Sequence, residues 1–308
     1  MRQKDFFNYV LKQLNYYDFN SRLKIVIFRI FKQFKLKFID LSKSRTLEVN
    51  DYKISTIPYD KGISAELIMF RTHEPLTTKI LSRELKEGMV CLDVGSNIGY
   101  YVFLESNAVG DSGKVFAIEP SPQCFKALKK NLNLHNKSNI ELHNFACGDK
   151  EGQVSFITTN MSNLDRIDDE NADTVLSKTL NKVNINLRTI DDFVSEKKIN
   201  KVDLIRFDTE GYELKIYEGM HQTLKNFNPM LSFELHRSIL GTEKTIKILK
   251  ALQNDGYEIK YYVPRLLDHP IIGKMKHVKN YTINEVVSML ERDAVPGTVG
   301  LLLVKNIL

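Results

Sequence analysis

Two groups of residues in this 308-residue chain have the types and spacing that could do chemistry. The first is VCLDVGSNIG, Val90 to Gly99, in which Asp93 interrupts an apolar run and Gly95, Asn97 and Gly99 follow at alternate positions. A strand that enters a glycine turn and then a helix brings close-approach backbone and helix-terminal N–H groups to one point, as a nucleotide-type cofactor site requires. The alternative is a turn that binds nothing. The second group is VDLIRFDTEGYE, Val202 to Glu213, with LSFELH, Leu231 to His236, after it. Asp208, Glu210, Glu234 and His236 fall at the ends of two apolar runs, and in open α/β sheets that edge is where ligands bind. These four offer a negative field for a cation and a candidate general base. An imidazole near pKa 6.5 is closer to the working pH than a carboxyl near about 4.3, so His236 is the preferred base, with Asp208 and Glu234 orienting it or balancing charge. A structural histidine satisfied by a carboxylate is the competing reading.

The first turn also indicates which cofactor to expect. A dinucleotide fingerprint reads G-x-G-x-x-G, with its central glycine against the pyrophosphate. Here Asn97 takes that place and Asp93 stands two residues before the turn. A diphosphate would meet a side chain and a carboxylate. S-adenosylmethionine carries a sulfonium, an ammonium and a carboxylate but no phosphate, and it suits the turn better. Glu119 closes the next apolar run, KVFAI, about 20 residues on, where a carboxylate can accept both ribose hydroxyl protons. Cys147-Gly148-Asp149 follows a third run, and an acid there can accept from an adenine amino group.

Stepping these groups into place requires strands that alternate with helices. Runs at 90–94, 114–118, 140–146, 153–158, 186–189, 202–207, 229–235, 256–263 and 299–304 read as strands, and helical patterns fill most gaps between them. Such alternation implies a doubly wound parallel sheet with helices on both faces. A strand or hairpin over 48–59 and a helical segment carrying Pro75 and ending at Gly88 precede it. Glu74, just ahead of that helix, is a capping acid or faces the pocket. Residues 160–184 read as a long polar excursion, and 264–297 as irregular.

Composition is that of a soluble globular protein, 43% apolar and 27% charged, with a net charge of +6. Cys91, Cys124 and Cys147 make no metal-ligand spacing, so no metal is expected and a reduced cytoplasmic chain is the plain reading. The charge is concentrated at one end: residues 1–45 hold eleven Lys and Arg against three acids, the rest 33 against 35. No domain-wide basic field supports nucleic acid as a partner. Helices are expected over 5–19 and 21–43, the second with an apolar stripe and a basic side that lies on an anionic membrane surface or packs on the main domain. Charges interrupt every window long enough to span a bilayer. Residues 1–47 thus form a basic helical extension and 48–308 the main domain.

The succession DVGSNIG, AIEPSP, ACGD, LRTIDDF, VDLIRFDTEGYE and LSFELH, in this order, resembles the FkbM-type methyltransferases. The resemblance covers about Tyr52 to Val304, and Ser96 stands where the family often has alanine. It implies the class I methyltransferase (Rossmann-like) fold, with a mostly parallel seven-stranded sheet, and methyl transfer from S-adenosylmethionine to a hydroxyl of a sugar, glycan or glycolipid-type acceptor. Carried over, Asp93, Gly95, Asn97 and Gly99 would hold the methionine end, Glu119 the ribose, Cys147 and Asp149 the adenine side, and Asp208 would stand near the sulfonium. An NAD-dependent oxidoreductase shares the turn and the ribose acid, and Asn97 speaks against it. A non-catalytic adenosyl-binding scaffold is disfavoured by carboxylates at both late strand ends, which are costly to bury without a role or partner.

Overall fold

Apolar runs separated by amphipathic helices place seven strands in one sheet, in the computed structural model that describes residues 13–168 and 181–305. In chain order, helix α1 (Phe19–Leu36) precedes a hairpin of β1 (Thr46–Val49) and β2 (Tyr52–Ser55), then α2 (Ile63–Phe70) and α3 (Pro75–Glu84). The core unit begins with β3 (Val90–Val94), α4 (Tyr100–Val109), β4 (Lys114–Ile118), α5 (Pro122–Leu132) and β5 (Ile140–His143). An inserted group follows: β6 (Ala146–Cys147), β7 (Gly152–Thr158), β8 (Arg166–Ile167) and β9 (Asn181–Arg188). The second half contains α6 (Ile190–Glu196), β10 (Leu204–Phe207), α7 (Glu213–Glu218), α8 (His221–Phe227), β11 (Met230–Leu235), α9 (Arg237–Leu240), α10 (Thr242–Asn254), β12 (Tyr257–Pro264), α11 (Ile283–Glu291) and β13 (Val299–Lys305).

The main sheet runs β12-β13-β11-β10-β3-β4-β5, with β13 antiparallel to both neighbours and the other pairings parallel. This is the expected fold class, a class I methyltransferase sheet. The order reverses at β3 and β10, so their carboxyl ends form the crevice in which doubly wound sheets bind ligands. One face of the sheet buries Leu92, Val94, Ile205, Phe207, Leu231 and Phe233. The other packs on α4 through Cys91, Val115, Ala117 and Leu204.

Several expectations need correction. The runs over 153–158 and 186–189 do not join the main sheet: they belong to a separate four-stranded sheet, β6-β9-β7-β8, and the second is longer than expected, Asn181–Arg188. Its alternation is polar on one side because that face is open, with Ile185 and Leu187 buried on the other. The stretch over 140–146 is two strands, split between the two sheets. The segment 264–297, read as irregular, contains helix α11, opened by a capping box between Thr282 and Glu285. Of the polar excursion, the short β8 pairs with β7, while 169–180 lies outside the described residues, as does the first part of the helix expected over 5–19. The second N-terminal helix ends at Leu36 rather than 43. Among the described residues no helix is long and apolar enough to cross a membrane.

Candidate active site

Strand register brings the chemistry-bearing residues into rows. Ala117, Asp93, Arg206 and Ser232 are lateral neighbours across β4, β3, β10 and β11. Side chains alternate along a strand, so the row two residues on reads Glu119, Gly95, Asp208 and Glu234, on the same face and at the carboxyl ends. Arg206 donates to Asp93 at 2.9 Å and pairs with Asp208 at 3.4 Å, and its guanidinium lies 3.9 Å from the centre of the Tyr101 ring. A charged side chain is held there, inside an apolar strand, by two carboxylates and a π-face.

The turn after β3 is built on left-handed backbone at Gly95 (φ 83°), Asn97 (φ 49°) and Gly99 (φ 99°). Asparagine is among the few side chains that tolerate this region, which explains Asn97. Four amides of the turn itself are engaged within the protein. The amides of Gly95 and Ser96 donate to the Ile118 carbonyl, that of Asn97 to Glu119 Oε2 at 2.6 Å, and that of Gly99 to the Ser96 carbonyl. A phosphate would find these donors already used.

A cleft of about 810 Å³, counting its open mouth, lies over this turn. It is lined by Gly95 to Asn97, Tyr100, Tyr101, Glu119 and Pro120, by Ala146, Cys147, Phe156 and Ile167 of the inserted sheet, and by Asp208 to Glu210. Three polar side-chain atoms of the lining, Asn97 Oδ1, Asn163 Oδ1 and Thr209 Oγ1, are buried with no hydrogen-bond partner. Buried polar atoms are ordinarily satisfied, so these fit the donor groups of an adenosyl and amino-acid ligand, S-adenosylmethionine. Glu119 accepts from the amides of Asn97 and Ser121, and burial pushes its carboxyl up to about 8.

Beyond Asp208 the carboxylates converge on His236. Its Nδ1 is 2.7 Å from Glu213 Oε1, and its Nε2 is 3.3 Å from Glu234 Oε2 and 3.5 Å from Glu210 Oε2. Burial alone would lower this imidazole, but Glu210 and Glu213 outweigh it and hold it protonated well above the usual histidine range. This weighs against His236 as the base, since an imidazolium has no lone pair to offer. Burial raises Asp208 to about 6 and Glu210 to about 7, with negative neighbours, Glu234 and Asp208 among them, adding to the effect. Asp208, Glu234 and His236 bring one ligand atom each within 4.8 Å of one another. Arg206 and Arg265 already balance two of the three.

A chain of buried ion pairs continues from there. Arg265 bridges Glu234 Oε1 at 2.5 Å and Glu74 Oε1 at 2.8 Å. Glu74 meets His73 at 2.8 Å, His73 meets Glu66 at 3.2 Å, and Glu66 meets Lys32 of α1 at 3.0 Å. Glu74 also accepts from the Tyr101 hydroxyl at 2.6 Å, so it is neither an ordinary cap nor an acid lining the cleft.

Of the residues singled out from sequence, Gly95, Asn97, Glu119, Cys147, Asp208 and Glu210 line the cleft. Glu234 lines a smaller pocket behind it with Arg206, Asp208 and Glu74. Asp93 sits beneath the cleft, fully buried against Arg206. Gly99 gives room to packing, since a Cβ there would meet Leu128 at 2.7 Å and Phe103 at 2.8 Å. Asp149 turns away, to Lys215 at 2.7 Å. Arg206, Arg265 and His73 were missed. Arg206 had a signal, a charge inside the buried run LIRF; Arg265 and His73 lie in connections, without periodicity to mark them.

A family profile described as the Methyltransferase FkbM domain matches residues 93–259. Hexuronic acid methyltransferase AglP of Haloferax volcanii is 27% identical over 163 residues, 52% of this chain and 62% of that protein. Methyltransferase 1 of Beauveria bassiana is 22% identical over 143 residues, 42% of this chain and 57% of that protein. The chain thus spans about three fifths of the length of the curated relatives it matches. A crystal structure of Methyltransferase FkbM from Methylobacillus flagellatus KT superimposes with a TM-score of 0.40 at 16% identity, covering 67% of this chain and 44% of that one.

Proposed function

The chain belongs to the FkbM methyltransferase family, whose methyl donor is S-adenosylmethionine, and from that premise we propose that it methylates a hydroxyl oxygen of a sugar, glycan or glycolipid-type acceptor. The observation that carries this reading is the pair Asp208 and Glu210 at the cleft, raised to about 6 and about 7. A hydroxyl acceptor must lose its proton as the new C–O bond forms, and a base near the working pH serves best. Glu210 takes that proton. Asp208 and Glu234 supply negative charge, and the His236 imidazolium holds Glu210 and Glu234 in place through Nε2.

The bound donor supplies an activated methyl and a good leaving group, so the protein's larger task is alignment, which can contribute about 7 to 11 kcal/mol. The turn at Gly95 to Asn97 would hold the methionine end, Glu119 the ribose diol, and Ala146 with Cys147 the adenine side. The relative from Haloferax volcanii, named for a hexuronic acid, makes uronic-acid glycans the first acceptors to try. Purified protein, S-adenosylmethionine and such glycans should yield S-adenosylhomocysteine and an alkali-stable methyl ether. A methyl group released by mild alkali is an ester and overturns the hydroxyl reading.

A further inference from the structure

Helix α1 presents two apolar faces, and the protein covers one of them. Ser21, Ile25 and Phe28 are buried, packed in a cluster with Leu267 and Ile272, and Lys32 on that side reaches Glu66. At about 100° per residue, Phe19, Leu23, Ile27, Ile30 and Phe34 fall on the opposite side. They are bare: Phe19 is 78% exposed, Ile30 65% and Phe34 60%, and Phe38 just past the helix is 74% exposed. Singly exposed apolar residues need no explanation, but a continuous stripe along five turns does.

The rim of the stripe decides what fits it. Between Asp18 and Asp40 there is no acid, and Arg22, Lys24, Lys35 and Lys37 lie beside or beyond the apolar residues. Both bracketing acids are exposed and engaged locally, Asp18 accepting from Ser21 and Asp40 from Ser42, so they flank the stripe without interrupting it. A second copy laid on this face would set two cationic rims against each other. An anionic lipid surface offers acyl chains to the phenylalanines and phosphates to the lysines.

We propose that α1 is an in-plane membrane anchor that seats the enzyme on an anionic phospholipid surface by the stripe from Phe19 to Phe38. The half-buried pair Lys32–Glu66 and the packing of Ile25 and Phe28 fix the helix to the core, so seating also fixes the orientation of the whole molecule on the bilayer. The surface stands whether or not the acceptor is a sugar.

The test is co-flotation of the full chain with vesicles of phosphatidylcholine alone and of phosphatidylcholine with phosphatidylglycerol. Binding should need the anionic lipid and fall steeply between low and high salt. The double variant Ile30→Ser/Phe34→Ser should abolish it, and Lys24→Gln/Lys37→Gln should weaken it about thirtyfold at low salt, both with unchanged melting temperature because these side chains are exposed. Equal binding to neutral vesicles, or no binding at all, overturns the proposal. So does a dimer in sedimentation velocity that Ile30→Ser/Phe34→Ser dissociates, since the stripe then belongs to a second copy.

Discussion

Gly95 and Asp208 touch through backbone: a Cβ built on Gly95 would stand 2.3 Å from the Asp208 carbonyl oxygen. The ends of β3 and β10 are held this close by the Asp208 amide, which donates to the Val94 carbonyl at 3.1 Å. The left-handed φ of 83° at Gly95 adds a second reason for glycine. Gly95→Ala should push the two strand ends apart, cost about 1 to 3 kcal/mol, and remove S-adenosylmethionine binding. A thermal melt and a calorimetric titration check both, and a variant with wild-type values in each would contradict the contact.

Glu119 has a structural role and a proposed ligand role, and pH separates them. Its two oxygens accept from the Asn97 and Ser121 amides, and burial raises it to about 8. For a raised carboxyl the folded state favours the protonated form, so its contribution to stability is present below about 4.5 and is lost as pH rises through about 8. If the ribose diol donates to the carboxylate, binding favours the ionised form, and affinity climbs between pH 6 and 9. Glu119→Gln should abolish that climb and cost more than tenfold at pH 9, given about 1.5 to 3 kcal/mol for each hydrogen bond to a charged acceptor. A uniform loss with the slope intact would leave Glu119 only its role in the turn.

Much of this site was legible because strands impose a period. Glu119 and Asp208 directly follow apolar runs and Glu234 stands near the end of one, and ends of apolar runs are where a doubly wound sheet exposes side chains to a ligand. The protonation of His236 was not legible. Sequence places Glu234 two residues away, but Glu213 comes from α7 and Glu210 from the turn before it, and only folding puts all three around one imidazole. The inserted sheet was misread for a similar reason: β7 and β9 have ordinary strand patterns, and nothing local says which sheet they join.

The base assignment predicts a titration. Glu210, raised to about 7, should give kcat/KM a rising limb near that pH, since kcat/KM reports the free enzyme. Glu210→Gln should lower the rate about 10²- to 10⁴-fold and erase the limb. His236→Gln removes a neighbouring cation, 3.5 Å from Glu210, so the limb should survive and move to higher pH. If the limb persists in Glu210→Gln and vanishes in His236→Gln, the imidazole is the base after all.

Arg265 is the hinge of the buried charge network, serving Glu74 and Glu234 at once. With Arg265→Met both carboxylates keep their burial and lose this shared partner, and breaking a buried pair from one side costs about 3 to 5 kcal/mol. The pH dependence has a definite sign. Arg265 and His73 hold the Glu74 carboxyl well below its usual value despite burial, which raises it. A depressed carboxyl contributes stability above its unfolded pKa of about 4.5 and loses it as pH falls through the folded value. In the variant Glu74 can relieve its burial by taking up a proton, so the gap between wild type and variant should be widest at pH 8 and shrink toward pH 5. Urea unfolding at pH 5, 6.5 and 8 measures it; a gap that stays constant across that range would mean Arg265 stabilises by packing its stem and not by its charge.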